Sequence, residues 1–493
     1  MSESKSPHPQ WALLQKKPGT ELKLIGGKYY LYGVKSVYSK ELKRSKKVSL
    51  GILGSITEKE GFIASDKSEL KRAAASKLTV QHIYAYEYGF SFWFYQTIQE
   101  DGTLQKIKSL FPELWQFLIL MVYCRILHQS PLKNIPFHLS NGSILQMIGI
   151  ENYSDKHISE ALRSLGHQRV SMQKYMQADI VKDTCVLMDA TNIVSQSKNM
   201  DLAQQGYNSN MDFQTQLTLL YIYESKSLKP IFYRILPGNI RDVSAMTNTL
   251  HESGIKQCVF IADKGFYSEK NKEELEKNNV PYIIPLRRDN KKIDYSILEN
   301  MEVSDKYFKF QKQFIFYAEN KDKQISLYLD GQLKENEKND YLGRIETIPE
   351  EYTREKYLQK VKSMGTIALT HNTKLNPKEL YEEYKERGEI EQLFDHLKNT
   401  LDANVSYMQN ENALHGWMFI NHIALQTIYK LYAKLKNEPL NKKQSLNKKY
   451  SIQDAIMHLS KIQKVIINQD SYYITEQNAL TKTLLSKLKI SIT

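Results

Sequence analysis

Two short apolar runs, CVLM at 185–188 and CVFIA at 258–262, each break off on an aspartate, Asp189 and Asp263. Four or five consecutive apolar residues bounded by polar ones mark a strand buried on both faces, which needs helices or further sheet above and below it. A carboxylate directly after such a run projects where solvent and substrate can reach it. If the two strands are parallel neighbours, their aspartates come close together, and that is costly unless a cation lies between them. Taken singly, an aspartate at a strand end is more often a turn former or a helix cap.

The stretch from 183 to 290 carries the pattern through. TQLTLLYIY and KPIFYRILPGN read as the next two strands, RDVSAMTNTLHESG as a helix stopped by glycine, SEKNKEELEKNN as another helix and VPYIIPL as a fifth strand. Three strands followed by strand–helix repeats predict a mixed sheet flanked by helices. From 291 to 362 the rhythm breaks. YFKFQKQFIFYAEN and QISLYLDG predict a β-rich insertion, with Phe308, Phe310, Phe314 and Phe316 on one face. GTIALTHN then resumes the α/β texture.

A third acid lies in YKERGEIEQLFDHLK, residues 384–398. Tyr384, Arg387, Glu391 and Lys398 follow one another at spacings that place them within an arc of about 60° on a helix. Ile390, Leu393, Phe394, Leu397 and Leu401 fill the adjoining arc, so the helix buries one side and carries an acid, two cations and a phenol on its rim. Alone, such a rim is the usual make-up of a solvated face with i,i+4 pairing. Joined to Asp189 and Asp263, Glu391 completes a cage of hard oxygen ligands without thiol or imidazole, which favours Mg²⁺, or Mn²⁺ as a substitute, over Zn²⁺. Two such ions about 4 Å apart would activate a nucleophile and stabilise the leaving oxygen of a phosphodiester.

Charge points to the same substrate class. Lys and Arg exceed Asp and Glu by 68 − 55 = 13 over 493 residues. The excess sits at the ends: residues 1–80 hold 16 basic against 7 acidic residues, and 438–493 hold 9 against 4. Basic ends on a near-neutral body suit a polyanion such as DNA or RNA, and equally serve solubility. Three scattered cysteines (Cys124, Cys185, Cys258) exclude a disulfide framework or a zinc site and fit a reducing cytosol. The polar start, Met1 to Gln10, and the interrupted apolar run Leu114–Cys124 predict neither a signal nor a membrane span, hence a soluble intracellular protein.

Further along, SDKHISEALRSLG predicts a helix with Ser154 as its cap and Gly166 as its stop, and a helix-turn-helix reading of this region competes with plain packing. Trp417 opens a long amphipathic helix; core packing is its first expectation and stacking on an unpaired base the alternative.

The combination resembles the DDE transposases of bacterial insertion sequences, in the insertion-sequence-four-like superfamily marked by a Tyr-x2-Arg-x3-Glu-x6-Lys helix. Tyr384, Arg387, Glu391 and Lys398 meet that signature in full. MDAT at Asp189–Thr191 matches the first-aspartate motif, DKGFYS from Asp263 to Ser268 the second, and LPGNIRD the Pro-Gly-Asn-x-x-Asp turn with Asn239 and Asp242. The resemblance covers at least residues 183–437. It implies an α/β, ribonuclease H-like catalytic core in which Asp189, Asp263 and Glu391 hold two Mg²⁺. Tyr384, Arg387 and Lys398 would grip phosphates near the scissile bond, although Lys398 could equally pair with a glutamate of its own helix, and Lys264 could touch DNA. It also implies cut-and-paste transposition: cleavage at terminal inverted repeats of double-stranded DNA, a hairpin or related break, and strand transfer into target DNA. A homodimer would form in the synaptic complex, in a bacterial cytoplasm and on the nucleoid when bound to DNA.

The expected domains are a basic N-terminal β unit (1–67) for DNA binding, a helical domain (68–180) as a candidate for end binding, a catalytic domain in two parts (181–290 and 363–437), the β-rich insertion (291–362) and a basic helical tail (438–493). A domesticated DNA-binding relative, or a stand-alone nuclease of the same fold, are the rival readings. Intact acids argue against the first, and the insertion and basic ends against the second.

Overall fold

The computed structural model describes residues 7–39, 44–65, 82–151, 153–154, 157–180, 184–207, 212–224, 227, 229–238, 243–255, 258–262, 266–302, 304–320, 322, 324–386, 396–441, 444–467 and 471–492. The chain divides into two compact units, Met1–Ala85 with Val465–Tyr473, and Tyr86–Lys464 with Ile474–Thr493.

The first unit holds a four-stranded antiparallel meander: β1 (Thr20–Ile25), β2 (Lys28–Ser39), β3 (Arg44–Thr57) and β4 (Gly61–Ala64), in that order. Gly26 and Gly27, at φ +54° and +77°, make the two-residue turn between β1 and β2, a backbone that residues with a Cβ seldom adopt. Ala12, Leu22, Leu31 and Ile56 form its small core.

The second unit is built on an eleven-stranded mixed sheet. Its strands in chain order are β5 (Thr184–Ser195), β6 (Gln204–Tyr207), β7 (Phe213–Glu224), β8 (Pro230–Pro237), β9 (Cys258–Ile261), β10 (Tyr282–Pro285), β11 (Tyr307–Phe310), β12 (Gln313–Asn320), β13 (Ile325–Asp330), β14 (Thr366–His371) and β15 (Val405–Ser406). The spatial order is β11-β12-β13-β14-β10-β9-β5-β7-β6, with β8 paired to β7 and β15 to β5. β7 is antiparallel to both its neighbours, β5 and β8, whereas β9 joins β5 and β10 joins β9 in parallel. β7 reads LTLLYIY through its buried stretch because it is central and covered on both faces.

The segment 291–362 does not stand apart from this sheet: β11, β12 and β13 extend it through β14. Its four phenylalanines also divide between two faces. Phe310 pairs with Gln313 across a two-residue turn, so even numbers on β11 face odd numbers on β12. Phe308 and Phe310 therefore pack on Tyr381, at ring distances of 5.5 and 5.3 Å, while Phe314 lies with Tyr307 on the other face, 56% exposed.

Helices cover the sheet and share its core. They include α1 (Gly89–Glu100), α2 (Trp115–Leu127), α3 (Ile158–His167), α4 (Val243–Ser253), α5 (Glu269–Lys277), α6 (Gly331–Thr347), α7 (Pro377–Glu386) and α8 (Glu411–Asn437). Among the described residues no helix is long and apolar enough to cross a membrane. α8, 27 residues and about 40 Å long, is buried through its middle, from Gly416 to Ile428. Of its inward polar residues, Gln426 donates to Asp179 and to the Pro230 carbonyl, and Asp179 also binds Lys106 at 2.9 Å and Lys229 at 3.1 Å.

α3 departs from its sequence reading. It begins at Ile158 with no side-chain cap, and Gly166 lies inside it rather than ending it. Gly166 is there for closeness: a Cβ on it would lie 1.7 Å from the Asn412 carbonyl oxygen, and one on Gly416 2.3 Å from the Leu162 carbonyl oxygen. α3 and α8 cross backbone to backbone through these two glycines. Gly254, at φ +76°, is the true helix-stopping glycine, just past α4.

Candidate active site

Asp189 lies in the middle of a strand, not at its end. β5 runs on through ATNIVS because it is held on both edges. β7 pairs with it continuously from Val186 to Val194. The opposite edge takes β9 up to Leu187 and β15 from Val194 onward. Between those two partners, among the described residues, Met188–Ile193 face no strand on that edge, and this is where Asp189 sits, half-buried. Its Oδ1 accepts the Ala190 backbone N–H at 2.8 Å, which fixes the side chain's rotation.

β9 supplies the second approach. It is parallel to β5, with Phe260 opposite Val186 and Ile261 opposite Leu187. Asp189 stands two residues beyond Leu187 in the sequence, and Asp263 two residues beyond Ile261. Asp263 and Lys264 themselves lie outside the described residues, as do Asn239 and Asp242. Gly265 lies outside them too; of the described motif residues, Phe266 packs edge-on to Phe260, and Ser268 caps α5 by accepting from Asn271 N–H at 3.1 Å.

Behind Asp189 the surroundings are aromatic and neutral. Tyr221 stands opposite it on β7 and Tyr223 two residues on, on the same face. Burial, with the Asp189 carboxylate adding to it, holds the Tyr223 phenol well above its usual range. The Tyr221 hydroxyl is 3.1 Å from His422 Nδ1 on α8, and burial pushes that imidazole down to about 3, so it is neutral at physiological pH.

Of the helix signature, the half-buried Tyr384 lies on α7. Arg387 and Glu391 fall outside the described residues, and Lys398 lies in a π-helical turn, His396–Thr400. Among the described residues no three His, Cys, Asp or Glu side chains gather into a metal-binding group.

One anchor was not recognised in the sequence. Arg125, on the apolar helix α2, is buried, with Nε donating to Asn421 Oδ1 at 3.1 Å and Nη2 donating to the Leu401 carbonyl. Gln129 donates to the Thr400 carbonyl. The guanidinium also lies 4.3 Å from the Trp417 ring centroid, which gives Trp417 a structural task. Together these donors fasten the chain just after Lys398. A lone cation in an otherwise apolar helix was the available signal, since a buried charge requires partners. Burial lowers the Arg125 guanidinium to about 10, against the pull of Asp402.

The described structure thus gives a mixed sheet with Asp189 on one strand, β5, and the parallel strand β9 beside it. Residues 181–426 match the family model described as a transposase DDE domain. No curated protein matches the chain. Among solved structures it is similar to the piggyBac transposase synaptic complex with hairpin DNA, seen by cryo-EM, at 11% identity and a TM-score of 0.37 over 71% of this chain and 70% of that one.

Proposed function

We propose that the protein is a DNA transposase that cleaves at terminal inverted repeats and joins the freed ends to target DNA by a cut-and-paste mechanism, within an insertion-sequence-four-like, bacterial lineage. The observation that carries the reading is the parallel register of β5 and β9, which stops two residues short of each aspartate. Continued by two residues, it would bring Asp263 beside Asp189. The strand order of β8, β7, β5, β9 and β10, three antiparallel and two added in parallel, suits a ribonuclease H-like core.

Asp189, Asp263 and Glu391 would hold a pair of divalent cations, Mg²⁺ by the hardness of three carboxylate donors. Such ions, when bound, supply charge neutralisation at the scissile phosphate and at the leaving 3′ oxygen. The chain's own part is position. Asp189 offers a carboxylate on a strand paired throughout on one edge and on either side of Asp189 on the other, and Arg125 with Gln129 secures the segment that follows Lys398. Tyr384, Arg387, Lys398 and Lys264 would hold DNA phosphates, Arg387 in bidentate fashion. In-line attack by water would free a 3′-OH, and attack by that hydroxyl would transfer the strand. Joining two ends calls for two active sites, hence a homodimer on DNA.

The test uses a supercoiled plasmid carrying the gene with its native flanking DNA, incubated with the purified protein and Mg²⁺. Cleavage at the borders is expected for the parent and none for Asp189→Asn, Asp263→Asn or Glu391→Gln, with DNA retention by the variants unchanged. Cutting by any of the three at the parent's rate would refute the assignment.

A further inference from the structure

The meander of the first unit has unequal strands. β1 reaches only as far as Gly33 on β2, and β4 only from Gly54 on β3. Beyond those points, among the described residues, β2 and β3 continue as a pair without a third strand, with Val34 to Ser39 against Ser49 to Arg44. Two register shifts, between Leu31 and Tyr32 and between Gly33 and Val34, mark where this two-stranded ribbon leaves the sheet. Such bulges bend and twist a ribbon away from the sheet's plane.

Its chemistry is one-sided. Neither strand contains an Asp or Glu, and together they hold five cations: Lys28, Lys35, Arg44, Lys46 and Lys47. Directly opposed residues share a face, so Lys35 with Val48, Val37 with Lys46, and Arg44 all lie on one side. Arg44 to Leu50 are exposed, as are Lys35 and Val37. Lys47 points to the other side and is neutralised by Glu21 at 3.1 Å. Among the described residues no ion pair involves Lys35, Arg44 or Lys46. A face of three cations around two exposed valines, on strands that bury nothing there, is not explained by folding.

We propose that this ribbon enters the major groove of duplex DNA, with Lys35, Arg44 and Lys46 on phosphates or guanine edges and Val37 and Val48 against thymine methyls. The inference deepens the transposase reading and rests on it for its biological meaning. The dimensions suit the partner: two strands spaced about 4.8 Å apart fit, with their side chains, a groove about 12 Å wide. Six residue pairs span about 20 Å, enough to follow roughly six base pairs. The deep, narrow major groove of A-form RNA admits no such ribbon. Clustered lysines on open edges also oppose pairing with a second copy through the backbone.

The experiment compares the full-length protein with its Lys35→Ser, Arg44→Ser, Lys46→Ser triple variant. Binding to a labelled 30-base-pair duplex of random sequence, in EDTA, is titrated over a range of salt. The expected result is a slope of log affinity against log salt flatter by up to about 2.7, at about 0.9 for each of the three cations that sits on a phosphate and not on a guanine edge, with at least a tenfold weakening near 0.15 M salt. Interference by guanine N7 methylation should appear for the parent and vanish in the variant. An unchanged slope, an equal weakening on an RNA duplex, or a changed oligomeric state with DNA binding intact would each overturn the proposal. Misfolding is excluded by the thermal melt, which these exposed positions should leave unmoved. No metal or cleavage enters the assay, so Asp189→Asn protein with its ribbon intact keeps the full slope. A parent that cuts DNA while the triple variant keeps that slope sinks the ribbon and spares the transposase reading.

Discussion

Asp189 stands directly across the sheet from Tyr221, and Tyr221 reaches behind it to His422 at 3.1 Å. The carboxylate expected to carry the chemistry is thus backed by a buried, uncharged pair joining sheet and helix. His422 Nε2 has no hydrogen-bond partner among the described residues, so the imidazole is held through Nδ1. Tyr221→Phe should cost about 1–3 kcal/mol through the polar atom left unpaired, read as a lower urea midpoint at unchanged m.

The same imidazole sets an acid limit. Its folded pKa, about 3, is depressed from 6.5. The contribution to stability is present above pH 6.5 and is lost as pH falls toward 3, by about 1.4 kcal/mol per pH unit. A His422→Asn protein should be less stable at pH 7 yet show a flatter decline between pH 6.5 and 3. Parallel declines in urea titrations at stepped pH would show that His422 remains protonatable in the fold.

Glu87 has the opposite sign. Its carboxylate accepts from the Phe90 N–H at 2.6 Å, from Ser91 and from the Tyr123 hydroxyl at 2.7 Å, yet burial outweighs these bonds and raises its pKa above 4.5. Stability from this group is fully present below pH 4.5 and is lost as pH rises through the folded value. Glu87→Gln should therefore remove a decline on the rising-pH side, and its stability relative to the parent should improve between pH 4.5 and 7. A constant difference across that range would count against it.

Arg125→Met keeps the bulk and removes the donors. Two buried acceptors, the Leu401 carbonyl and Asn421 Oδ1, lose their partner. A loss of about 1–3 kcal/mol for each acceptor left unpaired is expected, with Lys no substitute because it cannot span both. Border cleavage by the folded fraction should fall as well, since the chain after Lys398 loses its fastening; full specific activity in the surviving protein would argue otherwise.

Gly416→Ala should lower the melting temperature markedly, through a clash at the α3–α8 crossing of about 1–3 kcal/mol. Gly343→Ala, on α6 with open space around its Cβ, is the control and should be neutral or mildly stabilising.

How much of this was legible in the sequence follows from the range of the forces involved. The strand carrying Asp189 and its parallel neighbour could be read because hydrophobic runs are local and their length reports burial. That Asp189 sits mid-strand could not, because β15, which prolongs β5, arrives from about two hundred residues away. Gly166 looked like a stop because a glycine near a helix end usually is one, and only the approach of α8 reveals its use. The phenylalanines kept sequence parity but not a common face, since parity across a hairpin depends on turn length. Arg387, Glu391, Asp263 and Lys264 remain sequence assignments, lying outside the described residues.

A strand gripped before and after its reactive residue behaves like a beam clamped at both supports. β5 meets one neighbour at its start and another at its finish, with β7 along its whole length, so sliding or tilting at Asp189 would break bonds in several directions at once. What freedom is left belongs to a single carboxylate rotor, and the Ala190 amide latches that rotor before any substrate arrives.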